Sequence, residues 1–292
     1  LALQPGLPAA QVPMGVPLPP AIPRAEARAR LGLPPEALIL ASFGHINPYK
    51  RVEAVLRSVK ALRSEFADVR YVLVGSVSPN YDLAAAIARS GLDGVATATG
   101  YVERAAFEDY VAAADICVNL RHPTAGETSA SLLRLLGAGK PTLVTASGSF
   151  TELLPGVAAQ VDLDRSEGDL ILAYCRLLAA RPDIAAAMGA AARAYVAREH
   201  TLDTAAAGYM GFLAARYGWG ATPKLRAPLW ELPKAAPEVP PAYPPPAHTD
   251  ETMQAEGHLV ALAAQLQPVA QAIAGLGARE DDSALLRAAA QA

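Results

Sequence analysis

An α/β fold built on a doubly wound parallel sheet is the architecture this sequence predicts, and three observations predict it. Between residues 37 and 218, short strand-like runs alternate with helical stretches. Each run is continuously apolar, not alternating, which requires helices on both faces of the sheet and therefore parallel strands. Proline placement isolates the block. Seven of the 25 prolines lie between Pro5 and Pro23 and nine between Pro223 and Pro246, which leaves the middle free to form regular elements.

The elements follow in order. The run at 38–43 is a strand, and 51–66 is a helix whose Val52, Val55, Leu56, Val59 and Leu62 recur at three- and four-residue spacing. Arg51, Glu53, Arg57, Lys60 and Arg63 fill its other face, so it lays one stripe on the sheet. A strand at 71–74, a helix at 81–90, a strand at 95–99, a helix at 104–113 and a strand at 116–120 continue the alternation. A helix opens after Glu127, a Gly139-Lys140-Pro141 stop feeds a strand at 142–145, and a weak strand follows at 158–161. Helices at 168–180, 184–198 and 202–217 close the domain, the middle one entered through Pro182-Asp183.

Composition limits the function. With 292 residues, 52% hydrophobic, and a formal charge of −3, the chain buries a substantial core and has no basic field to hold nucleic acid. Two cysteines, Cys117 and Cys175, form no framework and no metal-ligand spacing, which fits reduced thiols in the cytoplasm and no metal. No run of about 18 uncharged apolar residues is present. The start, Leu1-Ala2-Leu3, lacks an initiator methionine and a charged leader, so the chain is expected to be part of a longer one.

Three turns suit an anion. Gly44 follows the first strand, with Lys50 and Arg51 expected to open the next helix; Gly75 follows the second. In His122-Pro123-Thr124-Ala125-Gly126-Glu127-Thr128-Ser129, a polar turn opens an apolar helix, whose unpaired N–H groups attract phosphate at the strand ends. Each residue also has a plainer role. Glu127 suits a first-turn carboxylate, Thr128 and Ser129 suit helix caps, Arg134 suits a solvated helix position, and His45, His122 and His200 suit hydrogen bonds to nearby backbone. A dinucleotide oxidoreductase is excluded because Gly44-His45-Ile46-Asn47 lacks the second glycine of the phosphate fingerprint.

Taken in order, Val12-Pro13-Met14-Gly15-Val16-Pro17, Phe43-Gly44 with Lys50, Leu73-Val74-Gly75, Gly100-Tyr101-Val102, Ala114-Asp115, Gly126-Glu127, Gly139-Lys140-Pro141 and Glu152-Leu153 resemble the C-terminal, Rossmann-like half of a family 4 glycosyltransferase of the GT-B fold. The likeness runs from about residue 12 to residue 217. It implies a donor site for a nucleotide-diphosphate sugar. Gly44, His45, Lys50, Arg51 and Gly75 would lie at the diphosphate, and Tyr101 and Val102 at the base. Gly126, Glu127, Thr128 and Ser129 would lie beside the pyrophosphate and sugar, with Glu152 framing the cleft. Lys50 and Glu127 would carry the chemistry, with retention of configuration and without metal or cofactor. Two departures stand out. His45 occupies the place of the family's usual arginine, and the family's paired glutamates fall on Gly126 and Arg134, with Glu127 displaced by one.

The layout is then an interdomain linker and lead-in over 1–36, the donor-binding domain over 37–218, a proline-rich linker over 219–249 and a helical or disordered tail over 250–292. The expected function is sugar transfer to an unknown glycan, lipid or protein acceptor, at the inner face of the membrane or free in the cytoplasm. The tail is a candidate for peripheral membrane or partner contact. The rival is a non-catalytic sugar-nucleotide sensor or scaffold. An epimerase-like enzyme of the same fold would need more carboxylates and histidines than the turns supply.

Overall fold

The computed structural model describes residues 9–124 and 126–219. The proline-rich linker, apart from Trp219, and the tail lie outside the described residues. Six strands form one sheet in the order β3-β2-β1-β4-β5-β6: β1 (Leu38–Phe43), β2 (Val69–Val74), β3 (Ala96–Ala98), β4 (Ile116–Asn119), β5 (Thr142–Thr145) and β6 (Ala159–Val161). Every pairing is parallel, with Leu40 opposite both Tyr71 and Ile116. The chain winds outward from β1 to β3 and then returns to place β4 on the other side of β1. Loops leaving β1 and β4 therefore diverge, and open a crevice at their carboxyl ends.

The apolar runs are explained by helices on both faces. Leu40, Tyr71, Leu73, Ile116, Val118 and Leu143 pack under α2 (Val52–Leu62), α3 (Leu83–Ser90) and α6 (Glu167–Ala180). Ile39, Ala41, Phe43, Val72, Val74 and Cys117 point the other way, onto α4 (Arg104–Ala113) and Leu135 of α5 (Ala130–Gly137). Val144 joins α5 and Val196 of α7 (Pro182–Glu199) in a third cluster, and α8 (Leu202–Tyr217) follows. The expected α2 stripe is fully buried. Both cysteines are free and buried, which pushes their thiols up to about 12. Among the described residues, no helix is long and apolar enough to cross a membrane.

The lead-in contains an element that periodicity does not reveal: a further helix, Arg24–Leu31, packs on α4. Its Arg28 is 1% exposed and donates to the carbonyls of Ala113 (3.0 Å), Pro35 (2.6 Å) and Ala37 (3.0 Å) and to Asp115 Oδ2 (2.7 Å). A guanidinium fork thus fixes the chain's entry to β1.

Candidate functional site

The loops after β1 and β2 are pressed together where the sequence places glycine. Gly44 N–H donates to the Val74 carbonyl (2.9 Å), and a Cβ on Gly75, at φ 145°, would stand 2.2 Å from the Gly44 oxygen. Only a residue without a side chain permits this approach. Farther along, Ile46 N–H donates to Ser76 O (2.8 Å) and Ser78 N–H to Ile46 O (2.7 Å). The pair forms one rigid rim.

Lys50 lies against this rim. The expectation that Lys50 and Arg51 open the next helix is corrected: Lys50 ends a 3-10 turn (Pro48–Lys50), and Arg51 takes a left-handed conformation at φ 59° before α2. The Lys50 side chain folds back, 7% exposed, and its ammonium donates to the Phe43 carbonyl. A Cβ on Gly44 would stand 3.2 Å from Nζ, so Gly44 also makes room for the charge. Burial, with the Arg121 guanidinium nearby, brings this ammonium down to about 8. Arg51 does not share the crevice, because Glu167 at the start of α6 takes its guanidinium through Nε (2.7 Å) and Nη2.

Arg121, two residues past β4, is a side chain of this crevice that the sequence reading did not single out. Its loop meets the β1 loop where His122 N–H donates to Tyr49 O (2.7 Å), and its own N–H donates to Thr145 Oγ1 (2.8 Å). The side chain is 12% exposed. Nη1 donates to Glu127 Oε1 (2.6 Å) and Nη2 to Ser129 Oγ (2.8 Å), while the guanidinium centre lies 6.0 Å from the Phe150 ring centroid. Buried Nε has no hydrogen-bond partner among the described residues. A lone arginine behind an apolar strand is the one sequence signal, and it looks like any solvated strand-end charge.

The third turn is organised around the same group. Ser129 caps α5, its Oγ accepting from Leu132 N–H (3.2 Å). Thr124 Oγ1 donates to Glu127 Oε2 (3.0 Å) and accepts from Gly126 N–H (3.1 Å). Glu127's own backbone amide, then Arg121 and Thr124, hold its carboxyl below the ordinary carboxylate range. Thr128 is exposed beside it. Thr128 and Ser129 line a small hollow of about 70 Å³ with Glu152, Tyr195 and His200. His200 bonds Tyr195 OH and the Met14 carbonyl, both at 2.9 Å, as its plainer role requires.

The remaining predicted residues lie around the rim. His45 is exposed, with Nδ1 3.0 Å from Ser76 Oγ. Tyr101 is 76% exposed beyond β3, and Val102 packs on the α4 core. Arg134 faces away from the turn, 5.7 Å from the Phe107 ring centroid, on a separate cavity of about 350 Å³ between α4 and α5. Among the described residues, no group of three or more His, Cys, Asp or Glu side chains is placed to hold a metal ion.

Comparison with known proteins bears on the family and the fold. Residues 36–180 match the family described as "Glycosyl transferases group 1". A D-inositol 3-phosphate glycosyltransferase of Streptomyces scabiei (strain 87.22) is 34% identical over 206 residues, 64% of this chain and 44% of that protein. The chain thus spans less than half the length of this relative. Among solved structures, sucrose-phosphate synthase from Thermosynechococcus elongatus superposes with a TM-score of 0.60 at 22% identity, covering 72% of this chain and 53% of that one. Anabaena HepE, solved with UDP and with UDP-glucose, gives 0.58 at 16% identity over 66% and 52%. At these identities the likeness is one of fold.

Proposed function

We propose, from the match of residues 36–180 to the group 1 glycosyl transferases, that this chain is the donor-binding half of a sugar-transferring enzyme that uses a nucleotide-diphosphate sugar. The observation that carries the reading is Lys50: a buried ammonium beside Gly44, at the point where β1 and β4 diverge. Ligands of open α/β sheets bind in that crevice.

A diphosphate there meets the Lys50 charge, the Gly44–Gly75 backbone and the N–H groups at the start of α5 near Thr128 and Ser129. Breaking the glycosidic bond leaves negative charge on the diphosphate, so these fixed positive ends stabilise the transition state more than the ground state. The base rests near Tyr101 and Val102, and Glu127 and Glu152 border the sugar. No metal or cofactor enters this scheme. Retention of configuration and placement in family 4 follow the motif order from Gly44 to Glu152. The acceptor, a glycan, lipid or protein, meets the sugar from the part of the enzyme that faces this domain. We place the protein in the cytoplasm, where its two buried thiols remain reduced.

Binding of UDP in HepE supports a nucleotide-sugar ligand of this kind. Calorimetric titration of the 292-residue chain with UDP, GDP and ADP tests it. One of the three should bind, and Lys50→Ala should abolish the heat. A second reading, a non-catalytic sensor or scaffold, is favoured by Arg134, which fills a family glutamate position yet rests on Phe107. A pure scaffold gives no heat with any nucleotide.

A further inference from the structure

We propose that Arg121 is the second diphosphate-binding cation of this site, filling the role that His45 leaves open. The inference deepens the donor-site reading and rests on it.

Four observations point to Arg121. It leaves the sheet two residues past β4, on the opposite side of the crevice from Gly44 and Lys50, and its loop is bonded to the Lys50 turn through His122 N–H and Tyr49 O. Its guanidinium is oriented in advance: Glu127 fixes Nη1, Ser129 fixes Nη2 and the Phe150 ring lies 6.0 Å from its centre. A side chain held this way loses little freedom on meeting a ligand. Third, Nε is buried without a partner among the described residues, although a guanidinium offers five N–H donors suited to phosphate oxygens. Fourth, Ser129 Oγ joins the guanidinium directly to the cap of α5, so the charge sits at the helix start.

The other candidate, Arg51, is engaged by Glu167, and His45 lies exposed against Ser76. Arg121 is therefore placed as a cation for phosphoryl oxygens, with Glu127 and Ser129 as its positioning residues.

The test is calorimetric titration of the full chain and of Arg121→Ala with inorganic pyrophosphate, UDP, GDP and ADP, beside the corresponding nucleosides. Losing a charge-assisted contact should weaken pyrophosphate and the preferred nucleotide alike, by about tenfold or more. Nucleoside binding should not change. Arg121→Lys keeps the charge without the fork and should recover part of the loss; it also serves if the alanine variant does not fold. Wild-type binding of a nucleoside diphosphate with unchanged affinity in Arg121→Ala or Arg121→Lys overturns the assignment and leaves the donor site standing. Loss of nucleoside and diphosphate binding together would make Arg121 a structural support only. No nucleotide binding by the wild-type chain would remove the donor-site reading itself.

Discussion

The Lys50 ammonium and the Arg121 guanidinium, delivered by loops that leave neighbouring strands in different directions, face one crevice, where burial first and the Arg121 charge second lower the proton affinity of Lys50. Glu127 pairs with Arg121, whereas Lys50 donates to a neutral carbonyl, so an anion entering the crevice meets the Lys50 charge directly. Their separate anchors, the Phe43 carbonyl for one and Glu127 with Ser129 for the other, keep them there.

The lowered Lys50 value has a signed consequence for binding. Above about pH 8 the folded chain loses the Lys50 proton, so affinity for a nucleoside diphosphate should fall as pH rises through that value. Titrations between pH 7 and about 9.5 measure it, at roughly tenfold loss per unit at the steepest for one required proton. A flat profile contradicts the role of Lys50.

The same shift acts on folding in the opposite sense. Between about pH 8 and the ordinary lysine value of 10.5, the unfolded chain holds a proton that the folded chain has released. Stability relative to Lys50→Met should therefore rise with pH across that window and level off above it. Urea denaturation of both proteins at pH 7, 8.5 and 10 reads the difference.

Gly75→Ala should cost about 3 kcal/mol or more, because its Cβ would stand 2.2 Å from the Gly44 oxygen at a φ that side chains rarely adopt. The strain has to part the two loops, so nucleotide affinity should fall with stability. Denaturation midpoints and calorimetry on the same variant check both.

Arg28→Ala should destabilise the fold by about 3 kcal/mol, since Arg28 is buried and its removal strips partners from four carbonyls and Asp115. Arg28→Lys should recover only part of this, because an ammonium cannot span the same acceptors. Thermal unfolding of the two variants separates charge from fork geometry.

Much of the sheet was legible because parallel strands write continuous apolar runs: β1, β5, α4 and α8 fall on the expected residues. The helix Arg24–Leu31 was not, because Ala27 and the stem of Arg28 do its packing and leave no apolar stripe to read. Gly44 and Gly75 were legible because a glycine ending a buried strand has few other uses. Arg51 misled, since its partner Glu167 lies a long way along the chain and only folding brings them together. Arg121 was invisible for a related reason: its importance comes from burial and from Glu127, Ser129 and Lys50 around it, none of which spacing records.

A crystal structure of the chain bound to UDP, or to whichever of GDP and ADP binds more tightly, measures the site most directly. The diphosphate should lie where β1 and β4 diverge, within about 3 Å of Lys50 Nζ and of the Arg121 guanidinium, and against the first turn of α5. A diphosphate bound elsewhere, for example in the cavity beside Arg134, with Lys50 still turned onto Phe43 and out of reach, would contradict it.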